Sequence, residues 1–338
     1  MFYDEPVFFE KNRVARVYTG GKLFSGFFGD DSEDGFYPEE WVVSTVRALN
    51  KDSTDEHEGI SKILGTDIYL SDAVSDYREE MLGDRKDIGI LTKILDSAVR
   101  LPVQAHPDKE FSRKYFNSPY GKEESWYILD TRPGAKIYYG FKKGVTLEQF
   151  EAAIDASEDG GEHFEDLLCA IDVKPGDVIY IPAKLVHAIG VGCLLLEVQE
   201  PTDFTIQPER FCGNYKLSDK EMYLGLDRKS ALECFDMKKS YPAPLTPKVL
   251  KSDKNCLYQA MIDESVTSSF SVRTATLHNG TFILERGCAI YVVLDGEGTI
   301  TGEDYSKEIR KGDYFFMPDR AKGNFSISGN ICFAECFA

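Results

Sequence analysis

The chain contains only five histidines, and two of them stand where chemistry is expected. Leu101-Pro102-Val103-Gln104-Ala105-His106-Pro107 alternates, so Leu101, Val103 and Ala105 share one strand face while Gln104 and His106 share the other. Pro107 then ends the strand. His187 follows Val178-Ile179-Tyr180-Ile181 and a turn begun by Pro182, a placement from which it faces the inside of a β-barrel. Glu124 opens the apolar run Ser125-Trp126-Tyr127-Ile128 and shares a face with Trp126 and Ile128. A carboxylate on a buried face needs a partner, and a cation is one. Two histidines and a carboxylate on neighbouring strand ends suit a catalytic Zn²⁺ with one position left open, and Gln104 could add a further oxygen. The other histidines read as exposed: His57 in an acidic loop, His163 in a Gly-Gly-Glu-His turn, and His278 before the hairpin dipeptide Asn279-Gly280.

The elements that must position these residues are mostly short strands. Trp126 to Leu129, Lys136 to Tyr139, Val178 to Ile181 and Leu194 to Val198 are β-branched or aromatic and bounded by Gly, Pro or Asp. One helix interrupts them, beginning near Thr146, which stands three residues before Gln149 in a capping-box spacing. Residues 39–95 read as helical, because Val42, Val43, Val46 and Leu49, and then Ile60, Ile63 and Leu64, recur at helical spacing. Three prolines between Tyr241 and Pro247 read as a linker. Beyond it lie more short strands, from Ser269 to Leu277, Cys288 to Leu294, Gly298 to Thr301, Tyr314 to Met317 and Asn324 to Ser328. This pattern predicts a mainly β protein of closed or double-sheet architecture, with domains at 1–240 and 241–338.

At 338 residues the chain is long enough for two domains. Its formal charge of −18 disfavours nucleic acid and anionic membranes. No run approaches the ~20 apolar residues of a membrane helix. The first residues have neither the basic flank nor the apolar core of a signal peptide, so a cytoplasmic protein is expected. The eight cysteines form no Cys-x-x-Cys pair, so they are expected to be reduced and mostly in the core.

Several of these stretches resemble the type I mannose-6-phosphate isomerases. Leu91 to Asp96 followed by Val103 to Asp108 resembles the run that carries that family's first metal ligands. Gly121-Lys122-Glu123-Glu124-Ser125-Trp126-Tyr127-Ile128 is similar to its Gly-Lys-x-Glu-x-Trp-Tyr-Ile motif. Val173 to Asp177, continuing through Pro182 to Val186-His187-Ala188-Ile189-Gly190, is similar to its second cupin motif. Pro6-Val7-Phe8, Gly20 to Leu23 and Glu40-Trp41 fit the N-terminal segments. The resemblance spans residues 6 to about 206. It implies zinc on His106, Glu124 and His187 with Gln104 as fourth ligand, Lys122 near the substrate, and a jelly-roll catalytic domain followed by a second, metal-free cupin-like barrel.

The activity implied is interconversion of mannose 6-phosphate and fructose 6-phosphate, with Lys122 or a zinc-bound water as base. Lys93, in an apolar run, is either the neutraliser of a buried carboxylate or a substrate contact. Two departures stand out: Pro102 replaces a usual Ser, and Gln207 stands where the family carries a catalytic Arg. Arg210, three residues on, is the candidate to take over that charge and to bind phosphate, beside Lys122 and Lys93. Gln207 also keeps open an isomerase or epimerase of another sugar phosphate. A non-catalytic metal- or sugar-binding cupin fits the same residues.

Overall fold

The structure, a computed structural model, describes residues 1–51, 53–160 and 164–338. Its centre is a six-stranded antiparallel sheet in the order Arg13–Val14, Glu39–Val42, Leu91–Asp96, Cys193–Gln199, Glu124–Thr131, Val178–Ile181. The middle strands are buried on both faces along their whole length, which their continuous apolar character requires. One face packs on a three-stranded sheet of Leu168–Asp172, Lys136–Phe141 and His187–Ile189, through Trp126, Ile128, Ile137, Ile179, Ala188 and Leu195. The other face, through Ile94, Val178, Tyr180, Leu194, Leu196 and Val198, packs on residues of the C-terminal strands, including Ile290, Val292, Phe316 and Cys336.

Seven C-terminal strands, with one strand from the start of the chain, form an eight-stranded antiparallel sheet that curls around its own core of Tyr291, Val293, Ile300, Phe315, Phe333 and neighbours. The first strand of the chain, Val7–Phe8, joins it, with Val7 opposite Phe316 and Phe8 opposite Phe315. The fold is thus mainly β. The helix expected at Thr146 runs Leu147–Ser157 with the capping box formed: the Thr146 side chain accepts from Gln149 N, and the Gln149 side chain accepts from Thr146 N.

Several local expectations fail. Residues 101–107 form no regular strand; only isolated bridges, Gln104 with His187 and Ala105 with Ile206, hold the segment in place. Among the described residues of 39–95 there is a strand at each end and only two short helices, Leu70–Asp76 and Arg78–Leu82. The valines that mimic a helical stripe sit in strand and turn: Val42 ends a strand, Val43 has φ 53°, and Leu49 is exposed. The following loop doubles back and satisfies its backbone across itself, Ser61 N donating to Ser44 O and Ala48 N to Glu58 O. Asn279-Gly280 makes no hairpin turn. Ser271–Ile283 runs straight through it, and the left-handed Asn279 produces a register shift between His278 and Gly280. His57 is half-buried and stacks on Tyr69 at 3.9 Å. His163 lies outside the described residues. The proline-rich segment is docked, since Leu245 N donates to Val178 O and Tyr241 packs on Tyr180. No cysteine is paired in a disulfide; Cys169 is exposed, Cys332 half-buried and the other six buried. Among the described residues no helix is long and apolar enough to cross a membrane.

Candidate metal centre

Three backbone contacts assemble the centre. Gln104 and His187 exchange both backbone hydrogen bonds at 2.9 Å, which sets the two side by side. Lys184, in the left-handed conformation, donates its N–H to His106 O and seats the Pro182 turn on that residue. Lys122 N donates to Pro107 O at 2.9 Å. The chain comes this close because of Gly121, where a Cβ would lie 2.6 Å from Pro107 O. His106, Glu124 and His187 thereby converge: one potential ligand atom from each lies within 4.8 Å of the others, and all three residues are buried.

The hydrogen bonds decide the tautomers. His106 Nδ1 is 3.0 Å from Phe204 O and His187 Nδ1 is 2.8 Å from Leu185 O. A carbonyl only accepts, so each Nδ1 carries the proton and each Nε2 presents a lone pair. Both lone pairs face the Glu124 carboxylate, His106 Nε2 at 3.2 Å and His187 Nε2 at 3.3 Å. Burial, reinforced by Lys122, pushes His106 down to about 3, so it is neutral at ordinary pH. Burial opposes charge on Glu124, but Lys122 outweighs it and holds the carboxyl below its usual range. Acceptors therefore meet acceptors, and His187 Nε2 is buried with no hydrogen-bond partner. A divalent cation among them would satisfy all three, and the nitrogen–oxygen donor set suits zinc.

Lys122 stands against this group, its Nζ 3.1 Å from Glu124 Oε2 and 3.1 Å from His106 Nε2. The centre opens into a cavity of about 680 Å³ whose lining includes Gln104, Lys122, Glu124, Lys93 and Gln207. Strand register explains much of this. Trp41, Lys93, Glu197 and Trp126 are consecutive partners across the central sheet, and Gln199 sits opposite Glu124 two positions away on the same face. Lys93 Nζ lies 3.5 Å from Glu197 and 3.7 Å from Glu39. Burial works against its charge, yet Glu197 and Glu39 raise its pKa above the ordinary lysine value. Of the two readings open to Lys93, it holds a buried carboxylate pair and also borders the cavity. Burial, with Glu124 nearby, pushes Glu197 up to about 8 against the pull of Lys93.

Arg210 is not brought to the cavity. Its guanidinium is held by Glu158 at 2.6 Å and Asp219 at 2.7 Å and donates to Leu217 O, so it does not reach the cavity where the family's Arg charge was expected of it. Its neighbour Glu209 turns the other way and clasps Arg100 and Val103 N. Gln207 does line the cavity, with its Nε2 donating to Glu221 O.

Sequence reasoning passed over Arg16, Glu39, Glu197 and Asp203. Arg16 lies between Glu39 at 3.1 Å and Asp203 at 3.2 Å, and Glu39 also accepts from Tyr18 and Trp41. Burial opposes the charge of Glu39, but Arg16 and Lys93 keep it ionised. A signal existed for Glu197: a lone carboxylate in the apolar strand Leu194-Leu195-Leu196-Glu197-Val198 makes the same demand for a partner as Glu124. None existed for Arg16, whose partners are 23 and 187 residues away.

Over nearly its whole length the chain is similar to proteins of one name. It is 28% identical to a mannose-6-phosphate isomerase of Bacillus subtilis, with 98% of each chain covered. It is also 28% identical to one of Streptococcus mutans, with 97% of this chain and 96% of the relative covered. The chain is similar to mannose-6-phosphate isomerases along nearly its whole length. No family model matches it. Among solved structures, a mannose 6-phosphate isomerase from Bacillus subtilis superposes with a TM-score of 0.78 at 23% identity, covering 98% of this chain and 99% of that one. A zinc-bound mannose 6-phosphate isomerase superposes with a TM-score of 0.72 at 14% identity, with 98% and 99% covered. These relatives share the fold described above from end to end.

Proposed function

We propose that the chain is a metal-dependent sugar-phosphate isomerase, that its ion is zinc held by His106, Glu124 and His187 with Gln104 beside them, and that it interconverts mannose 6-phosphate and fructose 6-phosphate. The observation that carries this reading is the buried pair of Nε2 lone pairs facing one carboxylate, with Lys122 against it at the floor of a cavity. The names of the relatives support the reaction.

Interconverting an aldose and a ketose takes a proton from the carbon beside a carbonyl and returns it to the neighbouring carbon. A bound divalent ion would act as a Lewis acid for the negative charge that develops on oxygen. The chain's own residues do the rest. We assign proton movement to Lys122 Nζ, the mobile proton carrier in contact with both Glu124 and His106. Glu197, fixed by Lys93, lies on the same sheet face one register step from Glu124 and closes the wall of the cavity. The buried aromatic residues Trp41 and Trp126 flank that row and keep its far side dry. Gln207 is neutral and stands where the family pattern has Arg, so the charge on this wall comes from Arg16 and Lys93. The second barrel, from residue 241 on, is proposed as metal-free and structural, its interior being filled by Tyr291, Phe315 and Phe333.

A coupled assay of fructose 6-phosphate formation from mannose 6-phosphate tests the reading. We expect turnover that is lost on chelation and restored by added zinc. A protein that binds zinc stoichiometrically yet turns over no mannose 6-phosphate would show that the relatives' reaction does not extend to this chain. The binding-protein reading would then lead, or an isomerase of another sugar phosphate if a different substrate were turned over.

A further inference from the structure

The cavity is lined by five cationic side chains, Arg16, Lys51, Lys93, Lys122 and Lys220, and by five carboxylates, Glu39, Glu124, Glu197, Asp203 and Glu221. In a chain of net charge −18 this is a local concentration of cations. A divalent cation on the histidines would add two positive charges beside them, opposite in sign to a phosphate ester at neutral pH.

The cations are not equivalent. Arg16 is pinned between Glu39 and Asp203, and also donates to Asn50 at 3.0 Å. Lys93 is enclosed by Glu39 and Glu197. Lys122 is 3.1 Å from Glu124. A phosphate brought to any of these would have to displace a carboxylate and sit beside another, which like-charge repulsion opposes. Lys220 differs. It is exposed, and among the described residues no carboxylate lies within ion-pair distance of it. Lys51, with 47% of its side chain exposed, has one distant partner, Glu221, at 3.8 Å. Glu221 is already occupied by Ser218 and Tyr215. Lys51 lies in the loop after the strand Glu39–Val42 and Lys220 in the helix Asp219–Tyr223, and both border the cavity that has Glu124 in its lining.

Resting on the isomerase reading, we infer that Lys51 and Lys220 bind the phosphate of the substrate at the mouth of the cavity, with the carbonyl end directed to the buried centre. Two lysines act on phosphate as point charges. Their contribution is the same in ground and transition states, so it belongs to substrate binding rather than to the chemical step.

The test uses the zinc-loaded full chain with Lys51→Ala, Lys220→Ala and the double variant, each checked for metal content and circular dichroism. Calorimetry with fructose 6-phosphate, inorganic phosphate and unphosphorylated fructose is set beside the mannose 6-phosphate kinetics. For the double variant we expect fructose 6-phosphate and inorganic phosphate to bind roughly 10-fold or more weakly and KM to rise in parallel, with kcat moving by less than about threefold. Affinity for fructose, however low, should not move. Fructose 6-phosphate affinity within about threefold of wild type overturns the inference. So does a fall in kcat at constant KM, which would put the lysines at the reacting atoms, or an equal loss for fructose, which would mean a deformed cavity. A wild type that binds fructose 6-phosphate through these lysines but does not isomerise mannose 6-phosphate refutes the isomerase reading alone. Normal turnover with silent lysine variants refutes the lysine assignment alone.

Discussion

Two imidazoles turn their Nε2 atoms on one buried carboxylate; Lys122 Nζ reaches Glu124 and His106, but among the described residues nothing donates to or accepts from His187 Nε2. The Nδ1–H bonds to Phe204 O and Leu185 O prevent either ring from flipping its tautomer cheaply. The geometry is therefore preset for a cation. His187→Ala removes a ligand whose Nε2 has no other partner, and we expect metal content measured by plasma emission to fall from one ion per chain to a trace, with activity lost. Full occupancy in the variant would disprove the assignment. Arg210 teaches the opposite lesson at this scale. A long cation close in sequence to the site was satisfied by the nearer surface acids Glu158 and Asp219, as expected in so acidic a chain.

At the scale of elements, the centre depends on how closely the segment bearing Lys122 and Glu124 is pressed against His106-Pro107. Gly121 makes that approach possible, since a Cβ there would meet Pro107 O at 2.6 Å and Asp108 C at 3.0 Å, both rigid backbone atoms. Gly121→Ala should push the two segments apart while leaving both sheets intact. We expect zinc affinity, measured by competition with a chromophoric chelator, to drop by roughly 10-fold or more, in the range seen when metal-site supports are lost. The far-UV spectrum should not change. Unaltered affinity would mean the segments are held by other contacts. The central strands make a related point: their residues face the site and the second core alternately, so Ile94 and Leu196 serve one interface while Lys93 and Glu197 serve the other.

Across the whole molecule the two halves share a core. The central sheet covers one face with the C-terminal sheet, the first strand of the chain pairs within that C-terminal sheet, and Thr267 donates to Glu123, next to the ligand Glu124. Residues 1–247 alone would expose Ile94, Leu194, Leu196 and Val198 to water, and would leave Val7 without its partner strand. Exposing each such side chain costs about 1.5–3 kcal/mol, several of which approach the whole stability of a domain. We expect that fragment to bind a hydrophobic dye and to lack a near-UV signal. A cooperative thermal transition in the isolated fragment would show that the halves fold separately.

Residue type and local pattern determined a good deal by themselves. A buried carboxylate opening an apolar strand, a histidine after a proline turn and the alternation around Gln104 and His106 already specify what kind of group each is, because burial without a partner is costly wherever the chain goes. The strands, the Thr146 capping box and the mainly β character were legible for the same reason: they rest on periods of two and on contacts three residues apart. The loop of residues 43–69 was not, since valines at helical spacing are also what a folded-back loop buries, and only distant partners distinguish the two. Nor were the central cation pairs legible. Arg16 meets Asp203, and Lys93 meets Glu197, across separations of 187 and 104 residues. No local period encodes such a meeting. It follows from sheet register and from the packing of one half of the chain on the other.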